Sequence, residues 1–141
     1  MEFLFFCLSA APSFTADEKL FLEDVMKVMP YTEVESTYFD NDKMKGVTAR
    51  VAIGKNDGAK NFCMRVFEIS PGGHTPAHSH EWEHEMFVHS GEGEILTNDQ
   101  WKKVQRGTVI FMPEGEEHQI RNSGKDLLIV VCLIPSGVPE L

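Results

Sequence analysis

Cysteine is scarce in this chain, and long apolar runs are missing. The 141 residues include three cysteines, Cys7, Cys63 and Cys132, which lie far apart and form no C-x-x-C pair. An odd number of scattered cysteines argues against a disulfide framework and against a thiolate metal site, so we expect a reducing, cytoplasmic location. No apolar run approaches the roughly 20 residues that span a bilayer. The longest run, 127–135, predicts a buried strand.

Basic residues are also few. Lys and Arg total 13 against 22 Asp and Glu, which gives a formal net charge of −9. Nucleic acids and anionic membrane surfaces are bound through basic patches, and the acidic excess disfavours both. The sequence therefore predicts no nucleic-acid partner and no membrane partner.

Helix signals occur once, near the N-terminus. Residues 15–18 (Thr-Ala-Asp-Glu) have the form of a capping box, and apolar residues follow at helical spacing until Pro30, which predicts one amphipathic helix. Residues 1–11 are apolar and then small, as in a secretory signal peptide. The acidic Glu2 and the short apolar stretch favour instead an arm that packs on the domain or on a partner subunit. We predict an N-terminal arm and helix over 1–30 and a single β domain over 31–141.

From residue 47 onward the chain consists of short β-rich runs separated by Gly-, Pro- and Asn-containing breaks. The runs are 47–53, 62–69, 85–88, 94–97, 108–112 and 127–134. Many short strands at regular spacing are typical of an antiparallel sandwich or barrel. The predicted fold class is all-β.

Five of the six histidines fall between residues 74 and 89. If this segment is extended, His78, His80 and His84 project to the same side, because side chains alternate along a strand. Imidazole binds Zn, Cu, Fe and Ni, and several converging imidazoles can hold a divalent ion. His118, which follows a Pro-Glu-Gly turn, is a fourth candidate ligand.

The remaining two histidines of the stretch fit the metal hypothesis less well. His74 lies in a Gly- and Pro-rich loop, and His89 has the opposite parity at a strand end. We interpret both as ordinary polar residues, with contact to a substrate as the alternative.

At these residues the sequence resembles the cupin superfamily, on two motifs. The first, G-x5-H-x-H-x3,4-E-x6-G, is matched by Gly72, His78, His80, His84 or Glu85, and Gly91; the second, G-x5-P-x-G-x2-H-x3-N, is matched by Gly107, Pro113, Gly115, His118 and Asn122. The resemblance covers about a third of the chain. It implies a double-stranded β-helix, or jelly-roll barrel, for residues 31–141.

One position departs from the family pattern. In the family pattern six residues separate the usual glutamate ligand from the second glycine. Here six residues separate His84 from Gly91, whereas only five separate Glu85 from it. Parity also favours His84 over Glu85. The chain is similar to four-histidine cupins, which implies His78, His80, His84 and His118 as metal ligands. Glu85 is the alternative ligand if a bulge shifts the register.

The resemblance also implies a function class. One divalent transition metal ion is expected, with Mn or Fe favoured and Zn, Ni or Cu as alternatives. Four neutral imidazoles leave the ion's charge uncancelled, which favours a small anionic substrate. We expect an oxidoreductase of dioxygenase type. The alternative is a non-redox cupin that binds a small molecule or acts as an isomerase. A homodimer is expected, as is common in the family.

Candidate substrate contacts come from strands near the predicted ligands. Met86 and Val88 share the parity of His84, and an earlier strand presents either Phe62, Met64 and Val66 or Cys63, Arg65 and Phe67. Arg65 in an otherwise apolar strand is a candidate partner for a substrate carboxylate, with a solvent or subunit contact as the alternative. Phe111 is a further candidate, although aromatic residues usually serve packing.

Overall fold

The computed structural model describes residues 26–141. Nine strands make up most of it: β1 (Thr37–Phe39), β2 (Lys45–Ile53), β3 (Phe62–His74), β4 (His84–Ser90), β5 (Glu92–Thr97), β6 (Gln100–Gln105), β7 (Val109–Met112), β8 (Gln119–Arg121) and β9 (Leu128–Pro135). Two single turns of 3-10 helix, Tyr31–Glu33 and Lys55–Asp57, complete the described elements. The predicted all-β class is confirmed.

All described strand pairs are antiparallel, and they form one curled sheet. Its order is β6-β5-β8-β3-β9-β4-β7, and β2, followed by β1, pairs with the other side of β3. β3 joins the two halves of the curled sheet, which are β6-β5-β8 and β9-β4-β7. Most of its length pairs with β9, and its last residue, His74, pairs with Arg121 of β8.

The predicted run 62–69 ends too early, because β3 continues through Gly72 and Gly73 to His74. Gly72 adopts a φ of +75°, a conformation that favours glycine. A Cβ at Gly73 would lie 2.6 Å from the carbonyl oxygen of Lys45, so two backbones approach closely here. The glycines therefore bend a continuous strand, and the β2–β3 register shifts beside them between Lys45 and Val47.

The hydrophobic core lies inside the curl. β9 shows strict alternation, because Leu128, Val130, Cys132 and Ile134 are buried while the residues between them are half-buried. These side chains pack against buried residues of both halves of the curl: Val47, Ile69, Val88, Ile95, Val104, Met112 and Ile120. This core fixes the strands that carry the site.

The sequence pattern does not predict three of these strands, β1, β6 and β8. β6 shows the reason. Its sequence, Gln-Trp-Lys-Lys-Val-Gln, buries only Val104. β6 lies at the edge of the sheet, where charged side chains such as Lys102 and Lys103 discourage pairing with another chain. A strand with so few buried residues carries almost no hydrophobic alternation.

The predicted N-terminal features fall mostly outside the described residues. The arm over 1–11 and most of the predicted helix precede residue 26, and residues 26–30 have no regular secondary structure. The division of the chain at residue 30 stays a prediction. Within residues 26–141, no helix is long and apolar enough to cross a membrane.

Candidate metal centre and its cavity

Two of the predicted ligands are joined through the backbone. His78 and His118 form an isolated antiparallel bridge, with N–H···O distances of 3.1 and 2.9 Å in the two directions. The amide of Gly115 also donates to the carbonyl of His80 at 2.8 Å. The turn that precedes His118 is therefore hydrogen-bonded to the loop that carries His78 and His80.

The histidine segment differs from the expected strand. Residues 75–83 form a loop, and only His84 lies in a strand, as the first residue of β4. The imidazoles nevertheless converge, because the loop docks on the turn at 113–118. One side-chain nitrogen each from His78, His80 and His118 lies within 4.8 Å of the other two.

Backbone carbonyls set the tautomers of two histidines. Nδ1 of His78 lies 3.0 Å from the carbonyl oxygen of Pro76, and Nδ1 of His118 lies 2.8 Å from that of Glu116. A carbonyl oxygen only accepts hydrogen bonds, so each Nδ1 carries the proton and each neutral ring keeps its lone pair on Nε2. This is the tautomer that an Nε2 metal ligand needs.

The other two histidines are stacked. The ring of His80 lies between the indole of Trp82, at 4.2 Å, and the imidazole of His84, at 4.4 Å, and all three rings are nearly parallel. The Nε2 atoms of His80 and His84 are 2.5 Å apart. His84 thus adjoins the three-histidine group through His80.

The Nδ1 of His84 contacts side chains rather than backbone carbonyls. Its Nδ1 lies 3.2 Å from Sγ of Cys132 and 3.5 Å from Nη2 of Arg65, and that guanidinium nitrogen donates to the Cys132 sulfur at 3.0 Å. Strand register explains the contact, since Cys132 is paired with Arg65 of β3 on one side and with Met86 of β4 on the other.

Burial keeps these imidazoles neutral. It lowers the pKa of His84 to about 3, with the nearby Arg65 charge adding to the effect, and it lowers the pKa of His118 to about 4. Burial also lowers the pKa of His80. At neutral pH all three rings are therefore unprotonated, as metal ligands must be.

The donor set fits a divalent metal ion. Nε2 of His118 is buried and has no hydrogen-bond partner among the described residues. A buried polar atom without a partner costs about 1–3 kcal/mol. A metal ion held with His78 and His80 would satisfy this lone pair, and imidazole ligands suit Zn, Cu, Fe and Ni. The cluster can therefore hold a metal, whose identity the donor set leaves open.

A cavity of about 210 Å³ adjoins the cluster. His78, His84 and His118 line one part of it, and much of the remainder is apolar, with contributions from Phe39, Met44, Phe67, Met86 and Ile120. Arg65 also lines it, although only 8% of this residue is exposed. The inner face of β3 is thus the one formed by Cys63, Arg65 and Phe67.

The remaining predicted site residues take different positions. Met86 lines the cavity. Val88 shares its face but is fully buried in the core and does not line the cavity. Phe111 departs from expectation: it lies on the outer face of β7 and is 64% exposed. Glu85 is exposed on the face of β4 opposite His84, because the alternation of β4 continues without a bulge at this point.

The scaffold residue Asn122 is buried and bonded only to backbone. Its Nδ2 donates to the carbonyls of Ile69 and Asp126, and its Oδ1 accepts from the amide of Gly124. The asparagine that ends the second motif therefore ties β8 to β3 and has no contact with the histidines in this network.

Two residues that contact the histidines were missed as site residues. Trp82 is not among the predicted site residues, but its indole stacks on His80. Cys132 was treated only as one of three scattered cysteines, although it has the inward parity of β9. The parity of β9 was a usable signal; the proximity of β9 to β4 became visible only with the sheet order.

Comparisons with known proteins agree with the barrel fold. The cupin domain family profile matches residues 65–134. A structure of the polyketide cyclase RemF from Streptomyces resistomycificus superposes with a TM-score of 0.75 at 33% identity, covering 82% of each chain. The curled antiparallel sheet is that of a jelly-roll barrel, and the histidines of both motifs lie in it. The chain belongs to the cupin family.

Two curated relatives match over shorter stretches. The oxalate-binding protein of Thermotoga maritima is 32% identical over 71 residues, which is 48% of this chain and 59% of that protein. The 1-methylthio-D-xylulose 5-phosphate methylsulfurylase of Rhodospirillum rubrum is 25% identical over 71 residues, 50% of this chain and 46% of that protein. The chain thus spans about half the length of these two relatives.

Proposed function

We propose that this cupin is a mononuclear metal-dependent enzyme that acts on a small anionic organic substrate. The observation that carries the proposal is the buried Nε2 of His118, which has no hydrogen-bond partner among the described residues and belongs to a cluster of imidazoles beside a largely apolar cavity. His78, His80 and His118 would hold the metal, with His84 as the fourth ligand. Glu85 is on the wrong face to replace it.

The anionic character of the substrate follows from charge. Neutral imidazoles leave the +2 of a divalent ion uncancelled, and Arg65 adds a positive charge to the same cavity. In an apolar surrounding, such charges attract an anion more strongly than in water. Phe67, Met86 and Ile120 would exclude water from the remainder of the substrate.

The first candidate reaction is that of a dioxygenase. Bound Fe or Mn would supply oxygen chemistry, whereas Zn would supply only Lewis acid chemistry. The chain's own contribution would be to hold the substrate beside the histidines in a largely apolar cavity. Suitable substrates are small oxygen-rich anions such as keto acids, the enolates of diketones, and polyphenols.

The second candidate is a non-redox reaction, and one comparison favours it. The relative with 33% identity over 82% of the chain is a polyketide cyclase. Polyketides carry repeated carbonyl groups whose enolates are stabilised by a Lewis acid. A non-redox isomerase- or cyclase-type reaction would use the same histidines and the same cavity.

Metal analysis with oxygen uptake separates the candidates. The protein is purified without added metal or chelator, its metal content is measured, and oxygen consumption is followed with keto acids, diketones and polyphenols. Fe or Mn near one per chain with oxygen uptake supports the dioxygenase. Anaerobic conversion of a poly-carbonyl substrate supports the non-redox enzyme. If the native chain retains no metal, as is expected of the His118→Ala variant, that result would falsify both candidate reactions.

We also propose a homodimer formed through β7. This strand ends the sheet, and its outward side chains Val109 and Phe111 are 77% and 64% exposed. Exposed apolar side chains beside an unpaired strand edge are typical of a subunit contact. Light scattering should give twice the chain mass for the native protein and a smaller mass for Phe111→Glu; a native monomer contradicts the proposal.

A further inference from the structure

Among residues 26–141, Arg65 is a buried cation that forms no ion pair. Its exposure is 8%, and none of the three ion pairs among the described residues includes it. Its Nε has no hydrogen-bond partner in that part of the chain. A buried charge is normally paired, because isolation from water is costly. The described part of the chain therefore supplies Arg65 with no ion-pair partner.

The groups that do contact Arg65 are neutral. Its Nη2 meets the thiol of Cys132 at 3.0 Å and Nδ1 of His84 at 3.5 Å, and its Nη1 donates to the main-chain carbonyl of Glu140 at 3.4 Å. The carboxylate of Glu140 forms no ion pair with Arg65: its Oε1 accepts from the amide of Lys55 at 2.8 Å, and burial together with the same carboxylate raises the pKa of the nearby Cys63 thiol. These contacts orient the guanidinium, and none of them is an ion pair.

The cavity has room for a small anion beside Arg65. Arg65 lines the cavity together with His78, His84 and His118. The apolar residues Phe67, Met86 and Ile120 line another part of it. Its 210 Å³ is below the roughly 300–1,000 Å³ of pockets for drug-sized ligands. The occupant is therefore small, with one anionic end and an apolar body.

We propose that Arg65 binds the carboxylate of a small monocarboxylic acid whose apolar body lies against Phe67, Met86 and Ile120. A planar guanidinium is suited to two parallel hydrogen bonds with a carboxylate. The inference refines the proposed function by naming the substrate class of the same cavity. It differs in one respect: carboxylate binding at Arg65 does not require the metal.

A matched pair of probes tests the proposal. Hexanoate and 1-hexanol share an apolar chain and differ in the carboxylate. Each is titrated by NMR into the full chain after chelator treatment and again after metal loading. We expect hexanoate to bind the metal-free protein at least about tenfold more tightly than 1-hexanol, because hydrogen bonds to charged groups are the stronger kind.

Variants assign the preference to Arg65. Arg65→Met keeps the length of the side chain and removes its charge, so it should abolish the preference for hexanoate and leave 1-hexanol binding within about twofold. Arg65→Lys keeps the charge without the two-pronged geometry, so it should retain part of the preference. Arg106→Met, which removes an exposed arginine elsewhere, is the matched control and should bind both probes as the native chain does.

The outcomes separate this inference from the proposed function. Equal affinity of the two probes in the metal-free native chain overturns the role of Arg65. A preference that appears only with metal and persists in Arg65→Met also overturns it, because the metal then recruits the carboxylate. A metal-independent preference in a chain that never retains metal supports Arg65 as the anchor while the metal-dependent enzyme fails.

Discussion

The two sides of the histidine cluster are held by different parts of the chain. His78 and His118 are joined by a backbone bridge, and the Nδ1 of each donates to a main-chain carbonyl. His84 is held through its Nδ1 by the side chains of Cys132 and Arg65. The first side depends on the path of the backbone, which most substitutions leave in place. The second depends on the identity of two side chains, so it is the side that mutation can adjust.

Removal of a ligand should give the largest effect. A change to a residue that hydrogen-bonds a metal ligand typically lowers metal affinity by roughly 10- to 100-fold. We expect His118→Ala, which removes a ligand, to lower it by more. His84→Ala should lose less than His118→Ala, since three histidines would remain grouped. Metal content after dialysis against a weak chelator checks the order.

His89→Ala is the control for the ligand variants, because His89 is exposed on the outer side of β4. It should retain the native metal content. Equal loss in His118→Ala and His89→Ala would remove the distinction between cluster and surface histidines.

Acid should destabilise the metal-free protein through both sides of the cluster. The pKa values of about 3 for His84 and about 4 for His118 lie below the ordinary 6.5. The unfolded chain therefore binds more protons, and stability is complete above pH 6.5 and falls as the pH drops towards 4. At pH 5 each histidine should cost of the order of 2 kcal/mol in the free energy of unfolding.

Urea unfolding of chelator-treated protein at pH 7 and pH 5 measures this loss. His118→Ala should lose less stability between the two pH values than the native chain does. An equal loss in the variant would show that other groups govern the acid sensitivity.

The side-chain support of His84 should respond to changes at Cys132. Cys132→Ala removes the sulfur that faces Nδ1, and we expect metal affinity to fall by about 10- to 100-fold. Cys132→Ser retains a hydrogen-bonding group and should recover part of the loss. Competition with a chelator gives the affinities.

Cys63→Ala is matched to the Cys132 variant, because Cys63 is another buried cysteine on the inner face of the barrel. It should keep the native affinity. Similar losses in the two variants would assign the effect to packing rather than to His84.

The backbone support of His118 should be almost insensitive to side-chain changes. The carbonyl of Glu116 accepts from His118, while the Glu116 carboxylate is engaged by the hydroxyl of Thr97. Glu116→Gln keeps the carbonyl, so metal affinity should stay within about twofold, as for ordinary surface substitutions. A larger loss by chelator competition would show that the side chain also supports the site.

Much of the fold was predictable from the sequence, because core strands carry alternation. β9 is the clearest case, with four inward residues in eight. The pattern does not predict β1, β6 and β8, since they are short or largely exposed. It ends β3 too early, at residue 69 instead of 74, because bending glycines resemble turn glycines. Local patterns report burial, and these segments have little of it.

The site was predictable at the level of residue types and less so in its arrangement. Two motifs indicated His78, His80, His84 and His118, yet the strand expected for the segment is a loop that converges through contacts with a distant turn. Cys132 and Arg65 meet His84 because β9 lies between β3 and β4. That adjacency depends on long-range pairing, which one sequence without a structure does not specify.

The stacking of Trp82 on His80 gives the chain an optical probe of its own. An indole 4.2 Å from an imidazole and within 3° of its plane is close enough for its emission to respond to what that imidazole binds. Trp101, the other tryptophan, stacks instead with Arg121 at 3.8 Å and is remote from the cluster in the strand order. Intrinsic fluorescence of a Trp101→Phe variant would therefore follow occupancy of the centre directly, without an added dye or a coupled assay.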